Sequence, residues 1–222
     1  MIMKNFFVFN PKSYLYGQKL YDLAELADQL VTEDISIFVT GPYSDLAEIK
    51  RRTKHIIVTA QHMDGINPGR GMGMVSPNSL HNIGVGAVFL NHAEKPMSLK
   101  ELINAIKKAK DLDIKTIVCA DSVEEAKAIA ILKPDIILCE PTDLIGTGKS
   151  SDSIYIKETT EAIKTINPEI LVMQAAGISS PTDVYQVIKS GADGTGCTSG
   201  IVNAKSPQQM FIDMISAFKK AL

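Results

Sequence analysis

Short apolar runs recur along this chain, and each is followed by a stretch in which apolar residues return every three or four positions. The runs are Phe6–Phe9, Ile35–Thr40, Ile56–Ala60, Ala87–Leu90, Thr116–Cys119, Asp135–Cys139, Ile170–Met173 and the glycine-rich Gly191–Cys197. Runs of this length, bounded by turn residues, predict buried strands. Between them the helical period predicts helices over Tyr14–Val31 (Leu20, Leu23, Leu26, Ala27 and Leu30 on one face) and Leu46–Arg52. A further helix opens near Ser76-Pro77, where proline suits a first turn that needs no N–H. Ser98 with Glu101 three residues on forms a capping-box pattern before a helix to about Leu112. Asp121 is the expected cap of Val123–Leu132, and helices follow over Ser153–Ile166, Pro181–Lys189 and Pro207–Lys219.

Eight strands, each trailed by a helix, demand parallel pairing with helices on the outside. The expected fold class is α/β, a closed (β/α)8 barrel forming one domain over residues 1–222, a length within the usual range of such barrels. The open doubly wound sheet is the structural alternative. It would carry a Gly-x-Gly-x-x-Gly turn after its first strand, where this chain has Asn10-Pro11-Lys12.

Composition narrows the function more than the fold. The formal charge is -2, with no long run of one sign, which argues against a nucleic-acid backbone as the main partner. No apolar stretch reaches the ~20 residues that span a bilayer, so no membrane partner is expected. Three cysteines, Cys119, Cys139 and Cys197, fall at strand ends. Their odd number and the lack of ligand spacing predict reduced thiols in a cytoplasmic protein, with neither a disulfide framework nor a metal site.

In a barrel the chemistry gathers at the C-terminal ends of the strands. Those ends carry Asn10 and Lys12; Gln61 and His62; Asn91, His92 and Glu94; Glu140; Gly177 and Ser179; and Thr198, Ser199 and Gly200. Each has an ordinary structural reading: a solvated lysine, a satisfied histidine, a glutamate capping the next turn. Together they supply a cation, two proton-transfer groups and small-residue turns whose amides suit a phosphate. His62 adjoins a long loop and reads as structural or interfacial; His55 precedes a strand and His81 lies in a helix.

These residues bring a family into view. Glu140-Pro141 followed by Leu144-Ile145-Gly146-Thr147-Gly148 closely resembles the mobile catalytic loop of triosephosphate isomerase. Asn10-Pro11-Lys12 is similar to that family's Asn-x-Lys, Asn91-His92-Ala93-Glu94 to its histidine segment, and Ala60-Gln61-His62 to its third strand end. Ala176-Gly177-Ile178-Ser179 and Thr198-Ser199-Gly200 resemble its two late phosphate turns. The resemblance spans the whole chain in order and is greatest to the compact, archaeal-type branch.

The resemblance implies a cofactor-free isomerase of glycolysis and gluconeogenesis, interconverting dihydroxyacetone phosphate and D-glyceraldehyde 3-phosphate. Glu140 would be the base, His92 the donor to the substrate oxygen and Lys12 the electrostatic partner. Triosephosphate isomerase is itself the standard example of a neutral histidine electrophile beside a glutamate base. Asn10 would contact substrate, and Glu94 would order Lys12 or its loop. The phosphate would rest on Gly146, Gly177, Thr198 and Ser199, with Ser179 and Ile145 nearby, beneath a lid formed by residues 141–149. A homodimer or homotetramer is expected, built with the apolar, glycine-rich loop Gly65–Val75. Pro11, Thr198, Asp143 and Met72-Gly73-Met74 depart from the family pattern. They leave open an isomerase of another short sugar phosphate, such as an erythrulose phosphate, and a phosphosugar-binding barrel without turnover.

Overall fold

The computed structural model describes residues 4–141 and 153–222. Eight parallel strands close in chain order: β1 (Phe6–Phe9), β2 (Ser36–Thr40), β3 (Ile57–Ala60), β4 (Ala87–Leu90), β5 (Lys115–Ala120), β6 (Ile136–Cys139), β7 (Leu171–Gln174) and β8 (Gly194–Cys197). The expected closed (β/α)8 barrel is therefore the architecture found. The seam lies between β1 and β8, in the register Phe6 to Gly194 through Phe9 to Cys197. Beyond it, the Asn10 amide donates to the Cys197 carbonyl at 3.2 Å.

The strands are apolar on both faces because both faces are buried. One set, including Phe6, Val8, Phe38, Phe89, Leu138 and Met173, fills the barrel interior. The alternate set, with Phe7 and Phe9, packs outward under the helices. Phe6 and Phe38 meet edge to face with ring centroids 5.6 Å apart. The glycine-rich eighth strand has a steric cause, since a Cβ at Gly194 would overlap the Phe6 ring. Small residues on one strand leave room for large ones on its neighbour.

The outer layer comprises α1 (Gln18–Leu30), α2 (Tyr43–Arg52), α3 (Pro77–Asn82), α4 (Leu99–Asp111), α5 (Val123–Ala130), α6 (Ser153–Ile166), α7 (Pro181–Lys189), α8 (Ser199–Val202) and α9 (Pro207–Ala221). No described helix is long and apolar enough to cross a membrane. The Ser98–Glu101 capping box forms as the sequence predicts. Three local expectations change. Ser122, not Asp121, caps α5, its side chain accepting from the Glu125 amide; Asp121 stands one position too early to reach that turn. Helix α1 starts at Gln18 rather than Tyr14, after Gly17 at φ 59° turns the chain. The turn read at Thr198–Gly200 is the N-cap and opening of α8, too short for periodicity to reveal.

Phe211 of α9 sits against both outward phenylalanines of β1, with ring centroids 5.8 Å from Phe7 and 5.2 Å from Phe9. It is fully buried and braces the last helix against the closure seam. Phe211→Ala is expected to cost ~3–5 kcal/mol in urea unfolding. A loss below about 1 kcal/mol would show that the seam does not depend on this contact.

Candidate active site

The site begins with the turn after β1. Asn10 Oδ1 accepts the Lys12 amide at 3.0 Å and the Thr40 hydroxyl at 2.6 Å. With its oxygen engaged, the Asn10 side chain keeps its Nδ2 hydrogens for the cavity. Lys12 itself has φ 49°, a left-handed conformation that side chains rarely adopt. Its carbonyl accepts from Gln61 Nε2 at 2.9 Å, and its ammonium pairs with Glu94. The turn is thus held at amide, carbonyl and side chain together. The Glu94 carboxylate is the side-chain anchor of that turn. In return Lys12 holds the Glu94 carboxyl below its usual range, against a smaller opposing effect of burial.

His92 follows β4. Its Nδ1 accepts the Glu94 backbone N–H at 3.1 Å. That bond requires an unprotonated Nδ1, so the neutral ring carries its proton on Nε2. Burial, aided by the Lys12 charge, pushes the imidazole pKa down, which favours the neutral form. Nε2 points toward Glu140, 3.9 Å from its Oε2.

The residue before His92 is Asn91, also left-handed at φ 57°. It is fully used as a pin. Nδ2 donates to the Cys119 carbonyl at 3.1 Å and to Glu125 at 3.0 Å, while Oδ1 accepts the Met97 amide at 3.0 Å. Asn91 therefore orients the histidine segment from behind.

Glu140 leaves β6 with its amide donating to the Ala120 carbonyl at 3.0 Å. Only 15% of its side chain is exposed. Burial pushes its carboxyl pKa up, Lys12 pulls it back, and Glu94 adds to the rise; the net direction is upward. A carboxylate so placed is a stronger base than one in water.

The late turns complete the rim. Gly177 has φ 68°, which demands glycine at this bend. A Cβ on Gly200 would come within 2.9 Å of the Ser179 backbone, so the two turns can touch only because residue 200 has no side chain. Thr198 stands at the N-cap position of α8 without a side-chain capping bond, and Ser199 opens the helix with the outward amides of a helix start. Ser179 is differently committed. Its amide and hydroxyl both donate to Asp183, each at 3.0 Å. Burial raises the Asp183 carboxyl, but the hydrogen bonds from Ser179 and Ser180 outweigh it and hold the pKa below the usual carboxylate range.

Asn10, Lys12, His92, Glu94 and Glu140 line one 320 Å³ cavity together with Gly177, Ser179, Thr198 and Ser199. The described site residues predicted from sequence therefore meet at one place. Ile145 and Gly146, with the rest of the expected lid beyond Pro141, lie outside the described residues. Sequence reasoning missed what holds the site: Thr40 on Asn10, Gln61 on Lys12, and Asp183 on Ser179. Asp183 had a signal, because Ser180-x-x-Asp183 is a capping-box spacing and both halves of the box form. The contacts of Thr40 and Gln61 span 30 and 49 residues and leave no local trace.

Fold and cavity together define a (β/α)8-barrel protein with its polar groups gathered at the C-terminal rim. The family model described as triosephosphate isomerase matches residues 5–218. Similar curated proteins, each named triosephosphate isomerase, come from Methanobacterium bryantii (34% identical; 94% of this chain and 95% of that protein), Methanocaldococcus jannaschii (35%; 94% and 97%) and Metallosphaera sedula (32%; 100% and 97%). The chain belongs to the triosephosphate isomerase family, a family of isomerases.

The upward shift at Glu140 has a stability consequence. Its folded pKa lies above the ~4.3 of an unfolded glutamate. Above both values the ionised side chain is worse off folded than unfolded. Below ~4.3 both states are protonated and the penalty vanishes. Glu140→Gln is therefore expected to raise Tm at pH 8, with the gain disappearing by pH 4. Equal or lower Tm at pH 8 would contradict the burial-dominated shift.

Proposed function

We propose that the protein interconverts dihydroxyacetone phosphate and D-glyceraldehyde 3-phosphate through an enediolate, without a cofactor. The observation that carries this reading is the pairing of a base-strengthened Glu140 with a His92 whose proton sits on Nε2, facing the same cavity. Glu140 takes the proton from the carbon beside the carbonyl. A carbanion there is too unstable alone, so charge must move onto oxygen. His92 Nε2–H meets that oxygen, and a neutral imidazole donates without first surrendering a full charge. Lys12 offsets the negative charge of phosphate and enediolate, and the Asn10 amide orients the substrate oxygen. The same carboxylic acid then returns the proton to the neighbouring carbon, while the hydroxyl proton passes to the former carbonyl oxygen by way of His92 Nε2, so carbon and oxygen protons both balance.

The phosphate rests on the amides at Gly177, Thr198 and Ser199. Ser179 joins by turning its hydroxyl from Asp183 toward the anion. The alternatives of a four-carbon sugar phosphate or a binding barrel without turnover share this cavity. A pure binding site has no use for a buried carboxylate facing an imidazole, which favours the isomerase.

The oligomer expected from the sequence is part of the same proposal. A second cavity of 550 Å³ adjoins the first, sharing Asn10, Lys12, His92 and Glu94, and extends past Tyr14 and Tyr43. Met72 is fully exposed and Met74 nearly half exposed on the 65–75 loop. Large apolar side chains at an exposed loop tip fit burial in a second copy. The cavity beside the site is the receiving surface we propose for them.

In a coupled assay with dihydroxyacetone phosphate, Glu140→Gln is expected to lower kcat ~100- to 10,000-fold, and His92→Ala ~100-fold or more. Wild-type turnover no better than Glu140→Gln would sink the reading. Comparing kcat/KM for three- and four-carbon substrates decides the sugar. By light scattering at micromolar concentration, wild type should be oligomeric and Met72→Asp shifted toward monomer; a monomeric wild type would refute the second proposal.

A further inference from the structure

Glu140 is a wall between two cavities. One is the 320 Å³ space it shares with His92 and Lys12. The other, of 220 Å³, lies behind it and is lined by Asn91, Ala93, Cys119, Asp121 and Glu125. Among the described residues this rear cavity is rimmed by Ala93, Pro96 and Asp121, all exposed. Liquid water occupies ~30 Å³ per molecule, so there is room for several. A water there needs two to four polar partners, and the carboxylates of Glu125 and Glu140, which carry more lone pairs than their protein bonds use, supply two. Glu125 is fixed: one oxygen accepts from Asn91 at 3.0 Å and the other from the Asp121 amide at 2.7 Å.

We propose that this rear cavity is a water-filled proton path between Glu140 and solvent. The inference rests on Glu140 being the base, as proposed above. With ligand in the front cavity, the rear face is where the protonated carboxyl still meets water. The step balances. The substrate C–H bond breaks and an O–H bond forms on Glu140, its electron pair passing into the enediolate. In D2O the carboxyl hydrogen exchanges for deuterium through the rear waters, giving HDO. The O–D bond then breaks as a C–D bond forms on the adjacent carbon, and the carboxylate is restored. The rear path thus sets how often the product hydrogen comes from solvent rather than from substrate. Asn91 and Glu125, which hold the histidine segment, also frame this path. One set of contacts therefore serves both faces of the base.

The experiment is isomerisation in D2O with the product trapped, reading the fraction that carries deuterium at the receiving carbon. Ala93→Leu places a larger side chain at the rim, away from the front cavity. It is expected to keep kcat/KM within about twofold of wild type while the deuterium fraction falls at least twofold. Asp121→Asn, which removes an ionisable group at the rim, should lower the fraction in the same direction, and it keeps the test alive should Ala93→Leu fold poorly. A deuterium fraction unchanged in an active variant, or no solvent deuterium in the wild-type product, would overturn the proton path. A wild type that does not isomerise at all would instead overturn the reading of Glu140 as the base.

Discussion

Closure of the sheet on itself is the constraint from which the rest follows. Asn10 and Cys197 are 187 residues apart, yet the amide of one is bonded to the carbonyl of the other. Without that seam, the turn after β1 and the turn after β8 would be opposite edges of an open sheet. With it, Lys12 and Thr198 border the same cavity. The seam is compact because one side is glycine and the other phenylalanine, and because Phe211 presses on it from outside. Core packing and site assembly therefore share residues along β1.

The site works against stability in a way the core absorbs. A left-handed lysine, a left-handed asparagine and a largely buried carboxylate each cost free energy where they stand. Each is held by several contacts from different elements. Lys12 is gripped from β1, β3 and the β4 turn, and Asn91 from β5, α5 and its own loop. Such over-determination lets strained groups persist without relaxing into easier conformations.

Much of this was legible in the residues. The buried strands announced themselves because both faces are apolar, leaving no alternation to confuse with a surface strand. Glu140 stood out because a carboxylate ends the run Ile136–Cys139 and a proline follows at once. The restraints were invisible for a physical reason: a hydrogen bond from Gln61 to Lys12 depends on barrel closure, not on spacing along the chain. Helix α8 escaped notice because four residues make barely one turn. The bonds from Ser179 to a carboxylate four residues later were not read from its turn, which suggested only a place near the phosphate.

The doubly engaged oxygen of Asn10 gives the cavity a polarity of its own. Thr40 and the Lys12 amide saturate that oxygen, so the side chain can only offer hydrogens. Lys12 and the Nε2 of His92 do the same, while Glu140 across from them offers lone pairs. Such a space sorts molecules by where their oxygens sit. Bare oxygens are welcome on one side and acidic hydrogens on the other. A molecule turned end for end would meet hydrogen with hydrogen. Orientation in the cavity is thereby biased by a threonine on β2 that does not line it.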